Sequence, residues 1–290
     1  MKVVETRAEF TAARAALPAP VGLVPTMGAL HAGHAALVQQ ARAESASVVA
    51  TVFVNPMQFG PTEDLARYPR TLAADLQTCE QFGVDLVWVP EVDDIYPGGP
   101  AQVSVDPGAL GAVLEGRFRP THFAGVLTVV AKFFAIVRPD AAYFGEKDYQ
   151  QLVLIRRMVL DLDLGVQVVG VPIVREQDGL ALSSRNVYLS PAERADALAL
   201  SQALRAGQQA GAAGHDPVEA ARAVLDAVPE VLLDYLELRG TDLGPAPAHG
   251  AARLLVAARV GATRLIDNMP INGVPINSVP INSVPIAVPD

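Results

Sequence analysis

One cysteine, one tryptophan and three lysines in 290 residues set the first limits on what this chain can be. A single thiol, Cys79, forms no internal disulfide, which sets aside a disulfide-stapled scaffold and suits a reducing, cytoplasmic compartment. No run of about 18 apolar residues passes without a charge, and the longest candidate, 123–137, is broken by Lys132, so no membrane span is expected. The segment Met1-Lys2-Val3-Val4-Glu5 lacks the apolar core of a secretory leader. Basic residues number 22 against 31 acidic ones, a formal net charge of −9. Nucleic-acid binding depends on basic surface that displaces counterions, and no nucleic-acid partner is expected here. Lys2, Lys132 and Lys147 are the lysines and arginine supplies the other basic residues, so each lysine is worth weighing singly.

What is abundant is apolar: 51% of residues are hydrophobic and 18% charged, in a chain long enough for two domains of unequal size. Residues 21–24 read as a buried strand, followed after a turn by a helix over 35–42. A β-branched run over 47–54 stops at Asn55-Pro56. A helix over 72–82 ends at Gly83, and a strand over 84–89 closes at Pro90. Residues 91–121 form a Gly- and Pro-rich excursion. A long apolar helix over 123–137, a strand over 141–144, a helix over 150–160 and a strand over 166–174 complete the set. Strands alternating with helices predict an α/β fold, a Rossmann-like parallel sheet with helices on both faces, over residues 1–174.

From 175 the composition changes. Ser190-Pro191-Ala192-Glu193 is a capping box with proline at the first helical position. Helices near 191–211 and 216–227, then strands near 231–239, 252–260 and 263–268, predict a smaller α+β domain over 175–269 that would enclose a cleft with the first. In the tail, 270–290, proline recurs every five residues at Pro270, Pro275, Pro280 and Pro285, which forbids helix and predicts a flexible tail or surface strap.

Ligands of such sheets bind at the carboxyl ends of the strands, where strand order reverses. Three constellations fall on those ends. Pro25-Thr26-Met27-Gly28-Ala29-Leu30-His31-Ala32-Gly33-His34 sets two of the chain's five histidines at the start of a helix. Backbone N–H groups and the positive helix end gather there, and two imidazoles add donors for one anion, with Gly28 and Gly33 allowing close approach. The pair also fits a helix cap with a solvated neighbour, or half of a metal site. Asn55-Pro56-Met57-Gln58 puts two amides at the next strand end, suited to orienting a polar ligand or to an ordinary turn. Gly145-Glu146-Lys147-Asp148 opens a helix, where Lys147 is either a phosphate-binding charge or a surface partner of its acidic neighbours. Ser183-Ser184-Arg185, in a loop, suits an anion or a local turn. Arg117, Arg119 and His122 in the excursion read as solvated loop. Neither a Gly-x-Gly-x-x-Gly fingerprint nor a Gly-Lys-Ser/Thr phosphate loop is present.

Six segments in order, Pro25 to His34, Phe53-Val54-Asn55-Pro56-Met57-Gln58-Phe59, Tyr68-Pro69-Arg70-Thr71, Arg119 to Val126, Tyr143 to Gln151 and Leu182 to Asn186, resemble the pantothenate synthetase (pantoate–β-alanine ligase) family of the nucleotidylyltransferase superfamily. The resemblance covers about 1–270. It implies an enzyme that condenses D-pantoate with β-alanine, cleaving ATP to AMP and pyrophosphate through a pantoyl-adenylate. It implies ATP contacts along Met27, Gly28, Ala29, Leu30, His31, Ala32, Gly33 and His34, at Gly145, Glu146, Lys147 and Asp148, and at Val174, Leu182, Ser183, Ser184 and Arg185. Gln58 and Gln151 would bind pantoate, with Gln58 also near β-alanine. His31, His34, Lys147 and Arg185 would be catalytic, His34 either as proton donor or as a charged hydrogen-bond donor. The resemblance further implies Mg2+ beside ATP and a homodimer. Where relatives often carry an acidic run after Tyr68-Pro69-Arg70-Thr71, this chain has Leu72-Ala73-Ala74-Asp75, leaving Asp75 as the outer-shell acid for the metal. Leu182 stands where many relatives have methionine.

Overall fold

The computed structural model describes residues 1–61 and 63–272. The chain divides into two compact units, Met1–Tyr188 and Leu189–Asp290. The first unit runs β1 (Lys2–Val4), α1 (Arg7–Ala15), β2 (Val21–Thr26), α2 (Ala32–Glu44), β3 (Ser47–Val52), α3 (Leu72–Gln81), β4 (Leu86–Trp88), α4 (Val92–Ile95), α5 (Glu115–Phe118), α6 (His122–Val137), β5 (Ala141–Gly145), α7 (Tyr149–Asp161) and β6 (Gln167–Val171). Its six strands lie in the order β1-β4-β3-β2-β5-β6, all parallel. The order runs outward from β2 to β3 and β4 on one side and to β5 and β6 on the other. The boundary between β2 and β5 is therefore the switch point, where two successive crossovers leave opposite ways and open a crevice.

The sheet is buried on both faces because consecutive strand residues point to opposite sides and both sides are apolar. Val24, Val48, Ala50 and Val87 pack with Val38 and Ala41 of α2 and Cys79 of α3. On the opposite face Trp88 stacks on Phe10 of α1 at 4.4 Å between ring centroids and meets the edge of Phe133 of α6 at 6.1 Å. Among the described residues no helix is long and apolar enough to cross a membrane, α6 included.

β1 and α1 are additions to the sequence reading. α1 carries a complete capping box, Thr6 with Glu9, a Thr-x-x-Glu pattern that is visible in the sequence. β1 has only three residues and exists through pairing with β4, more than eighty positions away. Strands expected over 47–54 and 166–174 are shorter, ending at Val52 and Val171, because Asn55-Pro56 and Pro172 force the chain out of the ladder.

Residues 175–188, assigned by composition to the second domain, belong to the first unit instead. The reason is a set of long-range bonds. Arg185 donates through Nε and Nη2 to the Asp64 carboxylate at 3.1 and 3.0 Å, and the Tyr188 hydroxyl donates to the Arg67 carbonyl at 3.1 Å.

The second unit contains α8 (Pro191–Ala212), α9 (Pro217–Asp226) and an antiparallel sheet of β7 (Val231–Gly240), β8 (Ala252–Val260) and β9 (Thr263–Ile271), in that order. Ser190 and Glu193 form the expected capping box, and Asp216 caps α9. β9 runs past the expected end at 268 and takes in Pro270, the first proline of the repeat. An edge strand tolerates it: the Pro270 carbonyl accepts from Gln208 Nε2 at 2.8 Å, so the side without an N–H faces away from β8. The repeat from 273 onward lies outside the described residues.

One glycine positions the site. Gly125 of α6 lies against the 3-10 turn Pro56–Gln58, where a Cβ would come within 2.2 Å of the Met57 carbonyl oxygen. Gly125→Ala is expected to destabilise the chain by about 1–3 kcal/mol in urea unfolding, as overpacked cores do. An unchanged unfolding midpoint would contradict this packing.

Candidate active site

Residues from four strand ends and the loops after them line one cleft at the switch point, drawn from the segments Met27 to His34 after β2, Phe53 to Gln58 after β3, Gly145 to Asp148 after β5, and Pro172 to Arg185 after β6. Of the residues expected at the site, Met27, His31, Gly33, His34, Gln58 and Gly145 line it, as do Lys147, Asp148 and Gln151. Val174, Leu182, Ser183, Ser184 and Arg185 complete the far wall. Gly28, Ala29, Leu30, Ala32 and Glu146 are not part of the lining.

The turn after β2 explains why. Gly28 has φ +82° and Ala29 φ +52°, a left-handed pair that swings the chain toward Asp75 of α3. Asp75 is buried and accepts from the Leu30 amide at 2.8 Å, the Ala29 amide at 3.1 Å and the Thr71 hydroxyl at 3.1 Å. Its carboxylate therefore anchors the turn from behind, its oxygens taken up by two backbone amides and a hydroxyl. Among the described residues no group of three or more His, Cys, Asp or Glu is placed to hold a metal ion. The cleft's donors are imidazole, ammonium, hydroxyl and guanidinium, a set that fits an anion rather than a protein-held cation.

The histidines cap α2 and each other. The Gly33 amide donates to His31 Nδ1 at 3.1 Å, and the His31 amide donates to His34 Nδ1 at 3.3 Å. Gly33 serves this fold-back: a Cβ there would sit 2.8 Å from the His31 ring, so the glycine makes room for the imidazole. With both Nδ1 atoms accepting, the neutral rings carry their hydrogen on Nε2. The two rings lie 4.2 Å apart. Burial, then the neighbouring His31, pushes the pKa of His34 down to about 3, and burial, then Lys147, lowers that of His31. The unliganded protein thus offers neutral N–H donors, not imidazolium ions.

Lys147 follows β5 in the 3-10 turn Glu146–Asp148, with its Nζ 3.9 Å from the half-exposed Asp148 carboxylate. Although burial opposes ionisation of Asp148, Lys147 and then His122, Arg185 and Arg119 hold its pKa below the usual carboxylate range. Ser183 is used locally, its Oγ accepting from the Arg185 amide at 3.2 Å. Arg185 spends two of its five N–H groups on Asp64, leaving three for a ligand.

Arg119 and His122, read from sequence as solvated loop, belong to the cleft, whereas Arg117 is exposed as expected. Arg119 holds the Glu63 carboxylate with Nε at 2.9 Å and Nη2 at 2.5 Å. Its Nη1 donates to His122 Nε2 at 3.0 Å, which leaves the His122 hydrogen on Nδ1, donating to the Gln58 carbonyl at 2.9 Å. Burial, then Arg119, pushes the His122 pKa down to about 4. Sequence proximity of Arg119 and His122 hints at such a pair; the Glu63 partner, 56 positions earlier, has no local signature. Gln150, inside a recognised segment, is structural: its Nε2 donates to the Leu110 and Val113 carbonyls, both at 2.8 Å, and pins the excursion.

Residues 2–270 match the sequence profile of the family described as pantoate-beta-alanine ligase. The chain belongs to the pantoate–β-alanine ligase family. Among its relatives, the pantothenate synthetase of Nocardioides sp. is 59% identical over 278 residues, covering 92% of this chain and 83% of that one. That of Nocardia farcinica is 62% identical over 252 residues, 87% of this chain and 79% of the relative. Solved structures agree. The Thermus thermophilus pantothenate synthetase superposes with a TM-score of 0.87 at 52% identity, over 93% of this chain and 99% of that one. The Francisella tularensis pantoate–β-alanine ligase, complexed with a β,γ-ATP and β-alanine, gives 0.78 at 33% identity over 93% and 97%. Membership makes this chain an ATP-dependent enzyme that joins pantoate to β-alanine.

The two most deeply buried of the three depressed histidines, His34 and His122, give a pH dependence with a definite sign. An unfolded histidine binds its proton near pH 6.5, while folded His34 and His122 refuse it until about 3 and 4. Their contribution to stability is complete above about pH 6.5 and is lost as pH falls toward 4. Unfolding is therefore expected to take up about two protons on these two side chains in that window. Urea midpoints at descending pH should fall more steeply for the wild type than for a His34→Gln/His122→Asn double variant. Equal slopes would contradict burial of neutral imidazoles.

Proposed function

We propose that this cleft binds ATP along its β2, β5 and β6 ends, binds pantoate beside it at the β3 end, and joins the two as a pantoyl-adenylate before β-alanine enters. In this reading the turn at Met27 to His34, the segment Gly145 to Asp148, and Val174 with Leu182 to Arg185 hold the nucleotide. Gln58 and Gln151 hold pantoate, Gln58 also facing β-alanine. The observation that carries the reading is the convergence of anion donors from separate strand ends on one cleft whose remaining wall is apolar, Val126, Val129 and Phe133 of α6.

The chemistry brings two anions together. A pantoate carboxylate oxygen attacks the α-phosphorus, the bond from that phosphorus to the bridging oxygen of pyrophosphate breaks, and negative charge moves onto the leaving group. Lys147, Arg185 and the Nε2–H groups of His31 and His34 neutralise that charge, and preorganised donors in a dry cleft act more strongly than water does. The amine of β-alanine, in its neutral form, then attacks the acyl carbon. AMP leaves with the former carboxylate oxygen, the amine loses a proton, and the amide is complete.

Magnesium belongs to this reading as the companion of the ATP phosphates, held by phosphate oxygens and water. Homodimeric assembly and a cytoplasmic location belong to it as well. Two-fold assembly is the commonest oligomeric symmetry, and the lone buried Cys79 suits a reducing compartment.

Pantoate labelled with 18O in its carboxylate tests the intermediate. One labelled oxygen is expected in the phosphate of the product AMP. AMP without label would contradict an acyl-adenylate.

A further inference from the structure

Tyr96 lies just beyond α4, buried, and outside the lining of the cleft. Its hydroxyl donates to Asn55 Oδ1 at 2.9 Å. Burial pushes its pKa up to about 12, which keeps the phenol a donor throughout the working pH range. Asn55 is fully buried, and its Oδ1 also accepts from the Met57 amide, at a longer 3.3 Å. With that oxygen fixed, the Asn55 amide nitrogen donates to the Gly125 carbonyl and to Gln58 Oε1, each at 3.1 Å.

The consequence falls on Gln58. Its Oε1 is committed to Asn55, so its NH2 group is turned the other way, 2.9 Å from the thioether of Met27, a weak acceptor that a ligand oxygen outcompetes. A flipped Gln58 amide would set its NH2 against the NH2 of Asn55, two donors face to face. The hydrogen bonds therefore select one of the two amide orientations, and the selection starts at the Tyr96 hydroxyl.

We infer that Tyr96 is a positioning residue for pantoate, its hydroxyl acting through Asn55 to fix the Gln58 side chain with its NH2 group presented to the cleft. The inference rests on the assignment of Gln58 to pantoate made above. The Tyr96 ring has its own supports, Lys132 Nζ at 5.7 Å from the ring centroid and Phe53 at 6.3 Å between centroids. Tyr96→Phe thus removes the hydroxyl and keeps the ring.

The test is steady-state kinetics of the full chain for the wild type, Tyr96→Phe, Gln58→Ala and the double variant. Tyr96→Phe is expected to raise the KM for pantoate about tenfold, the size of one lost hydrogen bond, with the KM for ATP and the Tm close to wild type. In the Gln58→Ala background the same substitution is expected to add nothing. A pantoate KM unchanged by Tyr96→Phe, while Gln58→Ala raises it, overturns the role of Tyr96 alone. Equal effects of Tyr96→Phe in both backgrounds overturn it too, because the hydroxyl would then not act through Gln58. A pantoate KM unchanged by Gln58→Ala overturns the assignment of Gln58 and the inference with it. If Tyr96→Phe does not fold, Asn55→Asp tests the second link of the relay, from Asn55 to Gln58. It keeps an acceptor for Tyr96 and replaces the donor facing Gln58 Oε1 by an oxygen, which reverses the Gln58 amide. A raised pantoate KM that vanishes in the Gln58→Ala background supports the link through which the Tyr96 hydroxyl acts, and an unchanged one overturns the inference.

Discussion

Lys147→Ala is expected to slow adenylate formation by roughly 10²–10³-fold, the scale of removing one preorganised donor to developing charge, while the protein stays folded. The side chain is 20% exposed and its ion pair with Asp148, at 3.9 Å, is loose, so little stability is tied to that pair. In the proposed reading its value lies in placing a compact positive charge after β5, at the switch point, where a carboxylate must approach a phosphate. Lys147→Arg should recover only part of the rate, because a planar guanidinium does not occupy the place of an ammonium. Single-turnover quenching of ATP and pantoate, without β-alanine, measures the step. A rate for Lys147→Ala within a few-fold of wild type would remove the lysine from the phosphate site.

His34 is expected to respond to shape more than to charge. His34→Ala loses both the acceptor that caps the His31 amide and the Nε2–H donor, and should lower adenylation by roughly 10²-fold or more. The amide nitrogen of glutamine reaches about where Nε2 stands, and the oxygen of asparagine about where Nδ1 stands. His34→Gln should therefore retain much more activity than His34→Asn, although asparagine is the better mimic of the cap. A neutral donor also means that the adenylation rate stays level from pH 6 to pH 8 as far as His34 is concerned, since its pKa in the free protein is about 3. Loss of activity in Gln as complete as in Ala, with a rate falling as pH rises through 7, would instead point to proton transfer from His34.

The cleft was legible in the sequence to the extent that its residues sit beside strand ends, which hydrophobic runs and their Pro or Gly stops disclose. Thr26 to His34 and Gly145 to Asp148 are of this kind, because strand, turn and helix follow one another within a dozen residues. What the sequence hides is pairing at a distance. Nothing near Asp64 says that it meets Arg185, 121 positions on, and nothing near Glu63 says that it orders Arg119 and His122. The same holds for Asp75. Nothing around it in the sequence says that the left-handed Gly28-Ala29 turn, more than forty positions earlier, brings two backbone amides to it. The boundary between the two units follows the same logic. Composition shifts at 175, but the bonds from Arg185 and Tyr188 keep the chain with the first unit to Tyr188.

The central claim is that this cleft activates pantoate on ATP before β-alanine takes part. Exchange of labelled pyrophosphate into ATP, with magnesium and pantoate present and β-alanine omitted, tests it most directly. The account predicts exchange that depends on pantoate, is diverted to pantothenate and AMP when β-alanine is added, and nearly vanishes in Lys147→Ala. Product formation from all three substrates without any pantoate-dependent exchange, under conditions where pyrophosphate is free to rebind, would contradict it.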